Sequence, residues 1–252
     1  LKAILKTQRG EVVLKEADTS FVLAGNTIRI NGGNVQIAAE KPAQYTLITP
    51  RGGEYRLTLA DGTTVWLNAS SKLEYPSVFA GNTREVSLEG EAFFEVAQDV
   101  THPFIVHTEK QRITVLGTAF NIHAYPDESE STTLINGKVR VNSAGNTLLL
   151  QPGQQALLDS GGQLRLDPDA DLEEVAAWKN GYFQFNKADI RQIMQQLSRW
   201  YNVDVEYASS LPSSSFGAII SRTNSISKIL DVLEATGEVH FKVEGRHIYV
   251  MP

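Results

Sequence analysis

The sequence predicts a mostly β N-terminal region, sandwich- or solenoid-like with many short antiparallel strands, followed by a small α+β domain with a repeated helix–strand unit. Through about residue 165, apolar and polar residues alternate in short runs separated by Gly and Asn, the period-two pattern of strands with one buried face. After residue 182 the apolar residues recur at helical spacing instead. An acidic, proline-containing segment at residues 167–174 separates the two patterns and marks the expected domain boundary.

The composition is that of an ordinary globular protein and excludes several classes. The 252 residues carry a formal net charge of −6, with 42% hydrophobic and 21% charged residues. A pI near 5.4 disfavours a broad nucleic-acid surface, which needs a basic stripe. The absence of cysteine rules out disulfides and thiolate metal sites. No apolar run approaches the ~20 residues of a membrane-spanning helix. Because the chain begins at Leu1 without a leader, we expect a fragment of a longer protein.

The β region is predicted strand by strand from apolar residues spaced two apart. Asp61-Gly62 supplies the positive φ of a tight turn between two such runs, and Asn31 to Asn34 (Asn-Gly-Gly-Asn) predicts another hairpin turn. We expect no helix of ten residues before Asp171. The apolar positions that predict the strands are Val12 and Leu14, Ile28 and Ile30, Val35 and Ile37, Tyr55 to Leu59, Val65 and Leu67, Val86 and Leu88, Phe94 and Val96, Ile113 and Val115, Phe120 and Ile122, Val139 and Val141, and Leu148 and Leu150.

The last third combines strands with two amphipathic helices. Residues 182–185 predict a strand, and Asn186 to Asp189 has the spacing of a capping box with Asp in place of Glu. Gly237 is expected to end the second helix, and Gly245 to turn between the last two strands. The two helical faces consist of Ile190, Ile193, Met194, Leu197 and Tyr201, and of Ile226, Ile229, Leu230 and Leu233.

A repeat relates these two helices and the strands that follow them. A shift of 36 residues superimposes the first four residues of the first face, without a gap, on the four residues of the second face. The same shift places the strand Val203, Val205, Tyr207 on Val239, Phe241, Val243. The strands expected beside them are Phe216 to Ile220 and Ile248 to Val250. The pattern therefore predicts a helix-then-strand unit that occurs twice in one small domain.

Few residues suggest catalysis or metal binding. No pair of the histidines His102, His107, His123, His240 and His247 has the spacing of a metal site, so each is interpreted as a surface or packed histidine. Glu89, Glu91 and Glu95 share parity on a regular strand, which would suit a glycosidase, but a solvated strand face is favoured. Trp66, Tyr75 and Phe79 could line a sugar-binding surface, although such aromatics more often belong to the core.

Seven segments in order resemble the FecR domain. They are Ile48 to Tyr55 with Leu57 to Ala69 (containing Ala-Asp-Gly-Thr and Leu-Asn-Ala), Leu73 to Pro76, Gly90 to Val96 (Gly-Glu-Ala-Phe-Phe-Glu-Val), His102 to Val106, Val115 to Asn121 (Val-Leu-Gly-Thr-Ala-Phe-Asn), Gly137 to Val141, and Leu150 to Ala156. The C-terminal repeat resembles the small domain of FecR-like proteins of the Bacteroides-group type, itself similar to the short N-terminal domain of secretins and TonB-dependent transducers. The resemblance divides the chain into a β-rich lead-in (1–50), a FecR-like β domain (51–166), an acidic connector (167–181) and a signalling-type α+β domain (182–252).

The resemblance implies the periplasmic sensor portion of a transmembrane anti-sigma factor. Its expected partners are the signalling domain of a TonB-dependent outer-membrane transducer and, through a cytoplasmic segment not included here, an extracytoplasmic-function sigma factor. A membrane helix, also not included, would anchor the full protein to the inner membrane. The resemblance implies no enzymatic activity, no catalytic residue, no cofactor and no metal.

The partner-binding residues are expected on a free strand edge, since such an edge can pair with a partner's strand. The candidate is His247, Ile248, Tyr249 and Val250, but the sequence equally permits that this strand is central and that Tyr249 belongs to the core. Two other functions stay open. One is a periplasmic carbohydrate-binding module or glycosidase that uses Trp66, Tyr75, Glu91 and Glu95, and the other is a structural piece of a secretin-like assembly.

Overall fold

The chain forms two compact units in the computed structural model, unit 1 (Leu1–Leu172) and unit 2 (Glu173–Pro252). The structure describes residues 3–7, 10–14, 20–24, 27–30, 33–36, 43–126, 128–159 and 161–252. The turn predicted at Asn31 and Gly32 lies outside the described residues, although the strands on either side of it pair as expected for a hairpin.

Unit 1 is built from strands, and no helix occurs in its described part before Leu172, as predicted. Its strands are β1 (Ala3–Thr7), β2 (Gly10–Leu14), β3 (Ser20–Ala24), β4 (Thr27–Ile30), β5 (Gly33–Gln36), β6 (Gln44–Thr49), β7 (Tyr55–Thr58), β8 (Thr64–Leu67), β9 (Ser71–Pro76), β10 (Arg84–Glu95), β11 (Phe104–His107), β12 (Arg112–Val115), β13 (Ala119–Ala124), β14 (Glu130–Asn136), β15 (Val139–Ser143), β16 (Asn146–Leu150), β17 (Gln155–Leu158) and β18 (Leu164–Asp167).

These strands form two layers that share β10. The first layer has the order β2-β1-β6-β9-β10-β11-β12-β15-β16. The second has the order β5-β4-β3-β7-β8-β10-β13-β14-β17-β18. All neighbours are antiparallel except β10 with β11 and β3 with β7, which are parallel. The prediction of many short antiparallel strands is confirmed.

Strand β10 changes layer at Gly90. Its N-terminal half pairs with β9 and β11, and its C-terminal half pairs with β8 and β13. Gly90 has φ +97°, and a Cβ at this position would lie 2.4 Å from Oγ of Ser71. Only glycine fits this combination of positive φ and close approach. The kink therefore joins the two layers through one continuous strand.

Unit 1 has one hydrophobic core to which both layers contribute. The rings of Phe94 and Phe120 stack with their centroids 5.1 Å apart, and both side chains are fully buried. Leu47 and Leu73 in the first layer and Leu57 in the second are also fully buried. Each such side chain contributes roughly 1.5–3 kcal/mol when it is removed from water. This burial explains why the alternating pattern is so regular along β6, β7 and β9.

Unit 2 combines two small sheets with two main helices. Its elements are α1 (Leu172–Ala177), which starts at the last residue of unit 1, a 3-10 turn (Trp178–Asn180), β19 (Tyr182–Asp189), α2 (Ile190–Tyr201), β20 (Asp204–Tyr207), β21 (Ser215–Ser221), α3 (Ile226–Glu234), β22 (His240–Glu244) and β23 (His247–Met251). Strands β19 and β21 pair antiparallel, and a second sheet has the order β20-β23-β22. None of the helices in the described residues is long and apolar enough to cross a membrane.

The 36-residue repeat is visible in the fold. Helices α2 and α3 begin after Asp189 and Ser225, which are 36 positions apart and each accept a hydrogen bond from a backbone N–H three residues on. The predicted N-cap at Asn186 is wrong because β19 continues with a bulge to Asp189, where Gln192 completes the capping box. Helix α3 ends at Glu234 rather than at Gly237, whose positive φ occurs in the following turn.

The predicted apolar faces form the core of unit 2. Ile190, Ile193, Met194 and Leu197 of α2 are buried together with Ile229 of α3. The strands supply Phe183, Phe185, Ile248 and Val250 to the same core. The helices therefore cover one face of the strands, as an amphipathic pattern of this period predicts.

Candidate functional site

The candidate residues on β23 do not lie on a sheet edge. Strand β23 is central, because it pairs in parallel with β20 and antiparallel with β22. The prediction that this strand forms a sheet edge is therefore wrong. Besides its sequence neighbour β22, β23 also pairs with β20, which is distant in sequence. Ile248 and Val250 are fully buried in the core, whereas His247 is exposed and Tyr249 is partly exposed.

The side of this sheet opposite the core is the surface on which His247 and Tyr249 lie, and we call it the open face. By register and alternation it consists of Asp204, Glu206, His240, Lys242, Glu244, His247, Tyr249 and Met251. Tyr249 stands between Glu206 on β20 and Lys242 on β22 in the pairing register. Tyrosine is enriched at the centre of protein-binding surfaces, and polar residues form the rim of such surfaces.

Charge pairs organise the open face. The ammonium of Lys242 lies 2.7 Å from the carboxylate of Glu244. Their hydrogen bond raises the pKa of Lys242 and lowers the pKa of Glu244, so both are charged near neutral pH. His247 lies 3.9 Å from Glu206 on the neighbouring strand. All four side chains are more than half exposed, so these pairs leave their polar groups accessible to a partner.

A buried polar cluster surrounds Glu91 in unit 1. Its carboxylate accepts hydrogen bonds from Nδ2 of Asn68 at 2.7 Å and from Nδ2 of Asn121 at 3.1 Å. His123 lies 3.8 Å from Glu91 and 2.9 Å from the carboxylate of Glu128. This cluster was not predicted from the sequence. Its signal in the sequence is a polar residue in each of three FecR-like segments: Asn68, Glu91 and Asn121.

The cluster keeps its central groups charged. Burial lowers the pKa of His123, but its hydrogen bonds to Glu128 and Glu91 and their charges outweigh burial and raise it to about 9. Burial raises the pKa of Glu91, and the bonds from His123, Asn68 and Asn121 outweigh this and lower it. An imidazolium therefore lies between two carboxylates at neutral pH, which is a stabilising arrangement.

The three glutamates that share parity do not form one solvated face. Glu89 and Glu95 are exposed, but Glu91 is mostly buried within its hydrogen bonds. The expectation fails at Gly90, because the kink in β10 changes which side of the sheet successive residues face. Glu91 holds amides rather than facing an open cleft, so the arrangement does not resemble a pair of catalytic carboxylates.

The aromatic residues considered for sugar binding are used in packing. Tyr75 is fully buried and packs on Tyr45 with ring centroids 6.0 Å apart. Trp66 packs edge-on against Phe93 at 5.8 Å and lies under the guanidinium of Arg56. A carbohydrate ring would need an exposed aromatic face, which Tyr75 does not provide.

A buried ion pair, Arg84 with Asp61, joins two loops of the FecR-like segments. The guanidinium of Arg84 binds the carboxylate of Asp61 at 2.7 Å and donates to the carbonyl oxygens of Ala97 and His102 at 2.9 and 2.8 Å. It also lies over the ring of Phe104. One side chain thus joins the Ala-Asp-Gly-Thr turn to the segment that begins at His102.

Two adjoining grooves lie on the outer surface of the first layer, with volumes of 410 and 290 Å³. Glu74, Ser87 and His107 line both. Hydrogen bonds from Thr83 and His107 lower the pKa of Glu85 in the larger groove, so this carboxylate is ionised at neutral pH. Among the described residues no group of His, Asp and Glu could hold a metal ion.

Comparison with known proteins identifies the family. The FecR protein family model matches residues 45–140, and the FecR C-terminal model matches residues 182–250. Two crystal structures of a protein from Parabacteroides distasonis described as an anti-sigma factor are similar to this chain, each at 28% identity. The matches cover 81% and 82% of this chain and 97% and 98% of the other, with TM-scores of 0.76 and 0.77. No curated protein matches.

The matched segments coincide with the residues that build the fold. Asn68, Glu91 and Asn121 of the polar cluster, and Asp61 and Arg84 of the buried pair, all lie within residues 45–140. Unit 2, with its repeat and open face, contains the whole of the second matched region. The chain belongs to the FecR-like family of anti-sigma factors, which are regulatory proteins whose sensor portion is periplasmic.

Proposed function

We propose that this chain is the sensor portion of a transmembrane anti-sigma factor that binds the signalling domain of a TonB-dependent outer-membrane transducer. In the full-length protein, a membrane helix and a cytoplasmic segment transmit this binding to an extracytoplasmic-function sigma factor. The chain acts in the periplasm by binding a protein and without chemical turnover. Family membership supports the regulatory role, and unit 2 supplies the surface for the partner.

The observation that carries the proposal is the composition of the open face. Tyr249 lies at its centre on β23, with Glu206 on one neighbouring strand and Lys242 on the other. Ile248 and Val250 face the core and hold this strand in place. We propose that His247 and Tyr249 contact the transducer, while Ile248 and Val250 act on binding through the core.

The internal polar groups of unit 1 support a role without catalysis. Its polar cluster and its Arg84–Asp61 pair are internal, and their partners are side chains and backbone of unit 1. Groups that hold a fold together in this way are not positioned to transform a substrate. The regulatory signal therefore depends on surface contacts.

The test is a titration by calorimetry of the purified chain with the signalling domains of the TonB-dependent transducers of the same organism, one at a time. We expect one-to-one binding, and Tyr249→Ala should weaken it about tenfold or more, as for a central aromatic contact. Tyr182→Ala is the matched control, because Tyr182 is an exposed tyrosine on the other sheet of unit 2. No binding by the wild-type chain, or equal losses for both variants, would contradict the proposal.

A further inference from the structure

We infer that the partner binds by adding an extended strand to the outer edge of β20, an inference that rests on the proposed function. The two outer strands of the β20-β23-β22 sheet, β20 and β22, are equivalent in the repeat, since they begin 36 residues apart. They differ in whether their outward backbone N–H and C=O groups are available for pairing with another strand. This difference between the two copies of the repeat indicates that β20 is the edge that accepts the partner, which we call the receptive edge.

The edge of β20 directs backbone groups away from the sheet. The N–H group of Asp204 donates to the carbonyl oxygen of Arg246, just before β23, and that of Ala208 donates to the carbonyl oxygen of Val250 in β23, each at 2.9 Å. In a parallel ladder alternate residues bond to the same neighbour, so Val205 and Tyr207 direct their N–H and C=O groups outward. Within the described residues β20 pairs with β23 alone.

The equivalent edge of β22 is blocked by a side chain. The carboxylate of Glu234, at the end of α3, accepts a hydrogen bond from the backbone N–H of Phe241 at 2.6 Å. This bond uses the outward donor that an incoming strand would need. A charged side chain over an edge is a common protection against unwanted strand pairing.

The first half of the repeat lacks this protection. Subtracting 36 residues places Ser198 at the position of Glu234 and Val205 at the position of Phe241. The hydroxyl of Ser198 donates to the carbonyl oxygen of Gln195 in its own helix at 2.9 Å. The oxygen of a serine side chain is also two bonds closer to its backbone than a carboxylate oxygen of glutamate. Val205 therefore has no counterpart of the Glu234 carboxylate.

The side chains of β20 define the strand that would pair with it. Val205 and Tyr207 pack against the core of unit 2, so residues opposite them should be apolar. Glu206 and Asp204 lie on the open face, with 61% and 45% of their side chains exposed. Cross-strand pairing favours opposite charges, so residues opposite them should be Lys or Arg. The partner segment is thus a strand of the transducer's signalling domain that alternates apolar and basic residues.

The test recreates the block on the receptive edge. Ser198→Glu should place a carboxylate near the N–H of Val205 and weaken binding of the transducer's signalling domain by about tenfold. Gln195→Glu is the matched control, because it adds the same charge one turn earlier at an exposed position of α2 and should leave binding unchanged. Circular dichroism verifies that each variant is folded.

Amide hydrogen exchange on the wild-type complex gives a second readout that needs no variant. The amides of Val205 and Tyr207 should exchange about tenfold or more slowly in the complex than in the free chain, while Phe241 should change little. Absence of any binding would overturn the proposed function and this inference together. Binding with unchanged exchange at β20, or with equal affinity for a folded Ser198→Glu variant, would overturn the edge alone.

Discussion

The carboxylate of Glu91 accepts a hydrogen bond from Asn68 at 2.7 Å, and this bond joins two segments that were recognised only as sequence signatures. A third signature contributes Asn121 to the same carboxylate. The bonds lie next to Gly90, where β10 passes from one layer to the other. The polar residues of these segments therefore stabilise the crossing between layers.

Replacing Glu91 by Ala should destabilise unit 1 by about 2–4 kcal/mol, because Asn68, Asn121 and His123 would each lose a buried partner. Urea denaturation followed by circular dichroism measures the change. Glu89→Ala is the control: it removes the same group from an exposed position of the same strand and should change stability by less than about 0.5 kcal/mol. Equal losses of stability in Glu91→Ala and Glu89→Ala would show that the hydrogen bonds of Glu91 do not stabilise unit 1.

The stability of unit 1 should fall as the pH rises from neutral toward 10. The pKa of His123 is raised from 6.5 to about 9 in the folded chain, so its contribution is complete below 6.5 and is lost as the pH passes through about 9. The loss is on the order of 1–3 kcal/mol. Glu91 affects stability at acidic pH instead. Because its pKa is lowered in the folded chain, its contribution to stability is lost as the pH falls through that folded pKa.

Denaturation at pH 7 and at pH 10 checks this dependence. His123→Gln, which keeps a hydrogen-bonding side chain but cannot titrate, should be less stable than the wild type at pH 7 and should lose less stability between the two values. Because His102 is exposed, His102→Gln should retain the wild-type dependence. A wild-type chain that is equally stable at both values would contradict the charged state of His123.

Gly90→Ala should be among the most damaging single changes in unit 1. The new Cβ would lie 2.7 Å from backbone Cα of Ser71, and the backbone keeps φ +97°. Gly145→Ala separates the two effects, since Gly145 has φ +84° with no atom within 4 Å of its Cβ. We expect about 1–2 kcal/mol for Gly145→Ala from the φ alone, and clearly more for Gly90→Ala. Equal melting temperatures for the two variants would show that the close approach is unimportant.

Local patterns predicted the helices well. The apolar faces of α2 and α3 are buried as the helical spacing requires, and the repeat recurs in both caps. The β region was predicted as a class and largely by strand position, because alternation is a property of each strand alone. Where the chain bulges, as at Asn186 and Lys187 in β19, the cap was placed three residues too early.

Long-range pairing could not be predicted from the sequence. Nothing in residues 247–251 distinguishes a central strand from an edge strand, since both alternate apolar and polar residues. The kink at Gly90 changed the environment of Glu91 for a similar reason: its partners Asn68 and Asn121 are 23 and 30 residues away in sequence. A carboxylate next to apolar residues, as Glu91 is next to Ala92 and Phe93, is a signal for such a cluster, but its partners depend on the fold.

The Arg84–Asp61 pair should contribute more to stability than any exposed ion pair of unit 1. Arg84 is almost fully buried, so Arg84→Met would remove the hydrogen bonds that Arg84 donates to the Asp61 carboxylate and to the carbonyl oxygens of Ala97 and His102. We expect a loss of about 3–5 kcal/mol, the usual cost of removing one member of a buried pair. Arg140→Met, at an exposed position of β15, should cost less than about 0.5 kcal/mol.

A double-mutant cycle isolates the interaction itself. Asp61→Asn and Arg84→Met are measured singly and together by urea denaturation at pH 7, and the difference gives the coupling between the two side chains. Contact at 2.7 Å in a buried setting predicts a coupling of about 1–3 kcal/mol. Additive losses would mean that Arg84 stabilises unit 1 only through its bonds to the carbonyl oxygens of Ala97 and His102. Asp61 would then stabilise only the Ala-Asp-Gly-Thr turn, where it accepts hydrogen bonds from Thr63.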